Sequence, residues 1–178
     1  MYPIGTKDKD GCHKGLGTIE FFADFYSLCR DHTKSGNKKK FAFIVCRKED
    51  RAIMEMFQNP STLLKFERLT GKDLLVFHLY TGNQETHRLY NRFIRRTLNL
   101  ERNRDSSSVV FFEFDNNEVT NIEQLFLTDN TLEFEEELIN IFEANNKKTS
   151  YPLKNTIKRI RQKKVSIFTV IDIFLTIL

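Results

Sequence analysis

The sequence holds no tryptophan, only three cysteines, and no apolar run long enough to cross a bilayer. Cys12, Cys29 and Cys46 are odd in number and unrelated in spacing, which argues against a disulfide framework and for reduced thiols. Residues 1–10 lack the apolar stretch of a signal peptide, so a cytoplasmic protein is expected. The longest apolar stretch, 165–178, is interrupted by Asp172 and falls short of the roughly 20 residues that span a membrane. Glycine-rich phosphate loops of the GxGxxG or P-loop kind are missing, as is any other specific catalytic signature.

What is present is a globular composition. Of the 178 residues, 40% are hydrophobic, 17 are phenylalanine and 29% are charged, enough for one domain with its own aromatic and aliphatic core plus an appendage. The net charge of +4 is small, and its distribution says more. Lys38–Lys40, the arginines of 88–104 and the basic residues of 154–164 oppose the acidic stretch 133–143, so the molecule is expected to carry faces of opposite sign.

Apolar periodicity gives the element order. Ile19, Phe22, Phe25, Tyr26 and Cys29 recur at helical spacing after Thr18. The apolar run in 40–48 reads as a strand buried on both faces. Two short helices follow, one with Ile53, Met54 and Phe57 inward and one over 61–70, divided by Asn59-Pro60. Residues 73–80 repeat the strand pattern, Thr81-Gly82-Asn83 turns into a long helix reaching about Leu100, and 108–115 is a third strand. Asn116-Asn117 signals a hairpin to a further strand within 119–127, and Leu132, Phe134, Leu138, Ile141 and Phe142 mark a closing acidic helix. The domains predicted are a flexible lead over 1–17, an α/β domain over 18–147 and a helical interaction tail over 150–178.

The fold expected is a three-layer α/β domain with a βαβ unit plus a hairpin. Its element order over about 40–146 resembles the thioredoxin-like arrangement, in which two parallel strands joined through a helix lead to an antiparallel hairpin and a last helix. The thiol chemistry of that arrangement is not implied, because Cys46-Arg-Lys-Glu49 lacks a second cysteine and no proline precedes Val109. The alternative is a Rossmann-like parallel sheet, with the third strand parallel.

Candidate sites follow from this order. In an open α/β sheet ligands bind beyond the carboxyl ends of the strands, which brings Arg47 and Lys48 near Thr81, Gly82 and Asn83, where a helix N-terminus could hold an anion. On the helix over 84–100, Arg88, Arg92, Arg95 and Arg96 fall on one side at 100° per residue, opposite Leu89, Tyr90, Phe93 and Ile94. That side is either a phosphate-binding stripe, which arginine suits, or a solvated face. Cys46 reads as a reactive thiol before a helix or as an inert core residue. Cys12, His13, Cys29 and His32 do not make a metal site, since adjacent ligands fit one tetrahedral ion poorly and no paired CxxC is present.

In the tail, Leu153, Ile157, Ile160, Lys164, Ile167, Ile171, Phe174 and Leu178 recur at alternating spacings of four and three, a heptad seam. A helix there would bury its seam on its own domain, on another copy or on a partner. These features lead to the expectation of a non-catalytic binding or adaptor protein without cofactor or metal. It would assemble with itself or a protein partner through the C-terminal helix, and offer the arginine helix to an anionic partner such as nucleic acid. The alternative is a nucleotide- or anion-binding enzyme or sensor at the strand-end crevice.

Overall fold

The computed structural model describes residues 2–5, 18–36, 39–46, 53, 56–57, 59–70, 73–80, 84–100, 107–116, 118–127, 133–147 and 160–165. Five strands run over Tyr2–Gly5 (β1), Lys40–Val45 (β2), Leu75–Tyr80 (β3), Ser108–Asp115 (β4) and Glu118–Phe126 (β5), and a sixth over Ile160–Val165 (β6). The helices are Thr18–Lys34 (α1), Pro60–Thr70 (α2), Gln84–Thr97 (α3) and Phe134–Lys147 (α4), with Ile53, Met56 and Phe57 also helical. The sheet order is β1-β3-β2-β4-β5-β6. β1 and β2 lie parallel to β3, whereas β2–β4, β4–β5 and β5–β6 are antiparallel.

Side-chain chemistry explains the centre of this sheet. Phe41–Val45 of β2 are all buried, as a strand covered on both faces requires. Alternation sends Phe41, Phe43, Phe77 and Phe112 to one face, where α1 and α3 supply Phe21, Phe25 and Phe93. Ala42, Ile44, Val76 and Val109 point to the other, under Phe66 of α2 and Leu138 and Phe142 of α4. Phe41 and Phe112 are direct cross-strand partners whose rings stack at 5.3 Å and 16°, and Phe43 meets Phe112 at 5.3 Å and Phe77 at 5.2 Å. Aromatic pairs at such separations contribute beyond the area they bury.

Local chemistry sets the element ends. Asn59 caps α2, its side-chain oxygen accepting from Ser61 N at 3.0 Å, and Pro60 fills the first helical position, where its missing N–H costs nothing. α1 stops at Gly36, which takes the left-handed φ of 78° that glycine adopts without strain. α3 ends in a Schellman motif: Leu100 N donates to Arg95 O at 2.8 Å and Asn99 N to Arg96 O at 3.2 Å, with Asn99 at φ 47°. Asn116, at φ 50°, turns β4 into β5. A register shift between Phe111 and Glu113 marks a bulge in that hairpin.

Three expectations are corrected. The third predicted strand, β4, is antiparallel to β2, which excludes the Rossmann-like parallel sheet; the short Asn116 turn leaves no crossover to make β5 parallel to β4. Within the supposed flexible lead, Tyr2–Gly5 is a strand on β3, held by backbone pairing and by Ile4, which is buried in the core; four residues are too few to show a strand pattern. The helical tail is contradicted at Ile160–Val165, which pairs with β5 from Val119↔Val165 to Gln124↔Ile160, while the rest of 150–178 lies outside the described residues. A heptad seam stabilises a helix only against a partner, whereas β5 offers unpaired backbone groups along its outer edge.

The core makes a quantitative prediction. Phe43→Ala should lower unfolding free energy by about 3–5 kcal/mol, whereas Leu64→Ala, at a side chain 49% exposed, should change it by no more than about 0.5 kcal/mol. Urea denaturation of the two variants measures both.

Candidate functional site

α3 acquires its character from helical spacing. His87, Tyr90, Phe93, Ile94 and Thr97 are buried, and the opposite side carries Arg88 and Arg96 exposed and Arg92 and Arg95 half-buried. Arg88 bonds Glu85 one turn earlier at 2.8 Å, an exposed pair of the kind that contributes only about 0.2–0.5 kcal/mol. Neither Arg92 nor Arg96 has a carboxylate within ion-pair distance among the described residues. Arg95 and Arg96 occupy the last turn, where positive charge complements the helix dipole.

The inner side of α3 is tied to the sheet by polar contacts as well as by phenylalanines. The Tyr90 hydroxyl lies 3.4 Å from both Ile44 O and Phe77 O, to which it can donate. Asn91 Nδ2 donates to Cys46 O at 3.1 Å, fixing α3 to the end of β2. Burial, and secondarily the nearby Cys46 thiol, push the Tyr90 hydroxyl well above its ordinary pKa, so it stays a protonated donor.

Beside this contact, at the carboxyl ends of β2 and β3, lies a cavity of about 10 Å³ lined by Ile44, Cys46, Phe57, His78, Leu79, His87 and Tyr90, about the size of one water. His78 is 1% exposed and its ring stacks on Phe57 at 4.8 Å and 21°. Neither His78 ring nitrogen has a hydrogen-bond partner among the described residues. Burial pushes its pKa down from 6.5 to about 3, so the imidazole is neutral near pH 7. Cys46, half-buried, shares the cavity with two histidines. Among the described residues, however, no three His, Cys, Asp or Glu side chains gather closely enough to hold a metal ion.

The arrangement brings together some predicted residues and not others. Arg88, Arg92, Arg95 and Arg96 share the outer side of α3 as expected. Arg47, Lys48, Thr81, Gly82 and Asn83, proposed for anion binding, lie outside the described residues. The same holds for Leu153, Ile157, Ile167, Ile171, Phe174 and Leu178 of the seam, while Ile160 begins β6. Cys29 is a core residue whose thiol burial pushes up, and His32 meets the Phe41 ring edge-on at 5.3 Å; Cys12 and His13 are outside the described residues. His78 and His87 entered no predicted site. The signals were a lone polar residue in Leu-Val-Phe-His-Leu and a histidine in phase with Tyr90 and Ile94.

Comparison with known proteins finds no matching protein family, no similar curated protein and no similar solved structure. The site is therefore read from its own geometry.

His78 gives a pH prediction. Its folded pKa lies below its unfolded one, so the unfolded state binds the extra proton as pH falls from about 6.5 towards 3. His78 should thus cost stability in that window, by up to about 1.4 kcal/mol per pH unit, and cost nothing above it. Urea denaturation from pH 7 to 4 should show a shallower loss for His78→Leu than for the parent chain; equal slopes would contradict the buried neutral imidazole.

Proposed function

We propose that this domain is a binding or adaptor protein that docks an anionic partner, nucleic acid included, on the arginine face of α3. The observation that carries the reading is the outward presentation of Arg88, Arg92, Arg95 and Arg96 on a helix whose other side is bonded to Ile44 O, Phe77 O and Cys46 O. A planar guanidinium matches phosphate or carboxylate oxygens in pairs, and a helix already fixed to its sheet loses little freedom when a partner arrives. The strand-end cavity, at about 10 Å³, favours binding at the surface over catalysis within it.

The fold that accompanies this reading is thioredoxin-like in element order over 40–146, without a thiol pair. It is supported by the parallel β2–β3 pair, the antiparallel β4–β5 hairpin and the closing helix α4. Beyond β6, Ile167, Ile171, Phe174 and Leu178 supply a second, apolar contact, for another copy or a protein partner.

Replacing Arg88, Arg92, Arg95 and Arg96 together by alanine tests the reading. Affinity for a fluorescent oligonucleotide, followed by anisotropy across a salt series, should fall about tenfold or more at low salt. The slope of log affinity against log salt should also flatten by about 0.7–0.9 for each phosphate that the variant no longer neutralises. An affinity and slope equal to those of the parent chain would refute it.

A further inference from the structure

The outer sides of α3 and α4 carry opposite charge on opposite sides of the sheet, while α2 beside α4 exposes Lys65 and Arg68 with Glu67. α1 and α3 cover one face, and α2 and α4 cover the other. On the first side α1 is close to balanced, exposing Glu20, Asp24 and Asp31 against Arg30 and Lys34, so the positive charge concentrates on α3. On the second side Glu133, just before α4, and Glu136 on it face solvent, with Glu143 half-exposed in the same row. Glu135 is engaged by Lys65 of α2 at 3.1 Å and stands beside that row.

The rows also match in length. Arg88 to Arg96 spans about 12 Å along α3, and Glu133 to Glu143 about 15 Å, at 1.5 Å per residue. Both lie on helices held by the same sheet, so both are presented at fixed positions. Two copies meeting through the same face would set arginines against arginines or glutamates against glutamates, which disfavours a two-fold symmetric contact. Contact between unlike faces is heterologous, and because the faces lie on opposite sides, it repeats from copy to copy.

We infer that the arginine face of α3 docks on the acidic face of α4 of a second copy of this chain, head to tail. The inference rests on the reading of α3 as an anion-docking surface and names the anion as the Glu133, Glu136 and Glu143 row. Charge contacts of this kind at a solvated rim set register and association rate, and they weaken with salt.

The test uses the full chain with two double variants, Arg92→Ala with Arg96→Ala, and Glu133→Gln with Glu136→Gln. Sedimentation velocity should show the parent chain assembling past the monomer at about 0.05 M salt and dissociating at about 0.5 M, where the screening length shrinks severalfold. Each variant alone should associate about tenfold or more weakly than the parent. Mixed one to one, the two variants should form a species of two chains and no larger, because the intact arginine face of one fits the intact acidic face of the other while the remaining faces no longer match. That rescue also shows that both variants are folded. A parent chain that stays monomeric, variants that assemble like the parent, or a mixture that gains no two-chain species would each overturn the inference. Oligonucleotide binding measured on the same samples separates the two levels. If it is lost only in the Arg92, Arg96 variant while no self-association occurs, the inference fails and α3 remains an anion-docking face. If neither partner depends on those arginines, both fail.

Discussion

Ring packing across β3, β2 and β4 is the interaction on which the other elements depend. Phe41 and Phe43 each lie 5.2–6.3 Å between ring centres from Phe77 on one neighbouring strand and Phe112 on the other, and α1 and α3 seat Phe21, Phe25 and Phe93 on that surface. Replacing part of this set disturbs several rings at once, because each touches neighbours on its own strand layer and on the helices above. The opposite face is more aliphatic, with Ile44, Val76 and Val109 under Phe66, Leu138 and Phe142. The presentation of charge follows from this asymmetry: α3 is fixed on the aromatic side with its arginines outward, and α4 on the aliphatic side with Glu136 outward and Glu137 buried.

The interior strands are legible in the sequence because they are written in side chains. The third strand was expected at 108–115 and is found at Ser108–Asp115, since Val-Val-Phe-Phe ends at a turn that asparagine can make with positive φ. α2 was expected over 61–70 and runs from Pro60 to Thr70, for the same reason of a strong stop signal before it. Edge strands were not legible. β1 and β6 pair with the sheet at its edges, and neither a four-residue stretch with Ile4 as its buried side chain nor the largely polar Ile160–Val165 carries the apolar pattern of an interior strand. Strand direction was likewise open until the pairing of Phe41 with Phe112 fixed it.

The arginine face was legible because one helix suffices to define it: a repeat near 100° per residue places charges together without reference to any other element. The lining of the strand-end cavity was not, because it converges from β2, β3, α3 and Phe57. Sequence spacing carries no information about such convergence. His78 shows the limit clearly. Its neighbours in the chain mark a buried strand, but only the stacked ring of Phe57 explains how an imidazole is accommodated there without a hydrogen-bond partner among the described residues.

The placement of β1 has a consequence for the order in which the domain is assembled. Its ladder partner is β3, with Pro3 opposite His78, so β1 is made before its partner and has no place in the sheet until residue 80 has been made. The β4–β5 hairpin, by contrast, pairs residues that are neighbours in the chain and closes a short loop at small entropic cost. Synthesis and folding therefore proceed in different orders: β1 waits through α1, β2 and α2, and the aromatic surface that it flanks must form beside an open edge.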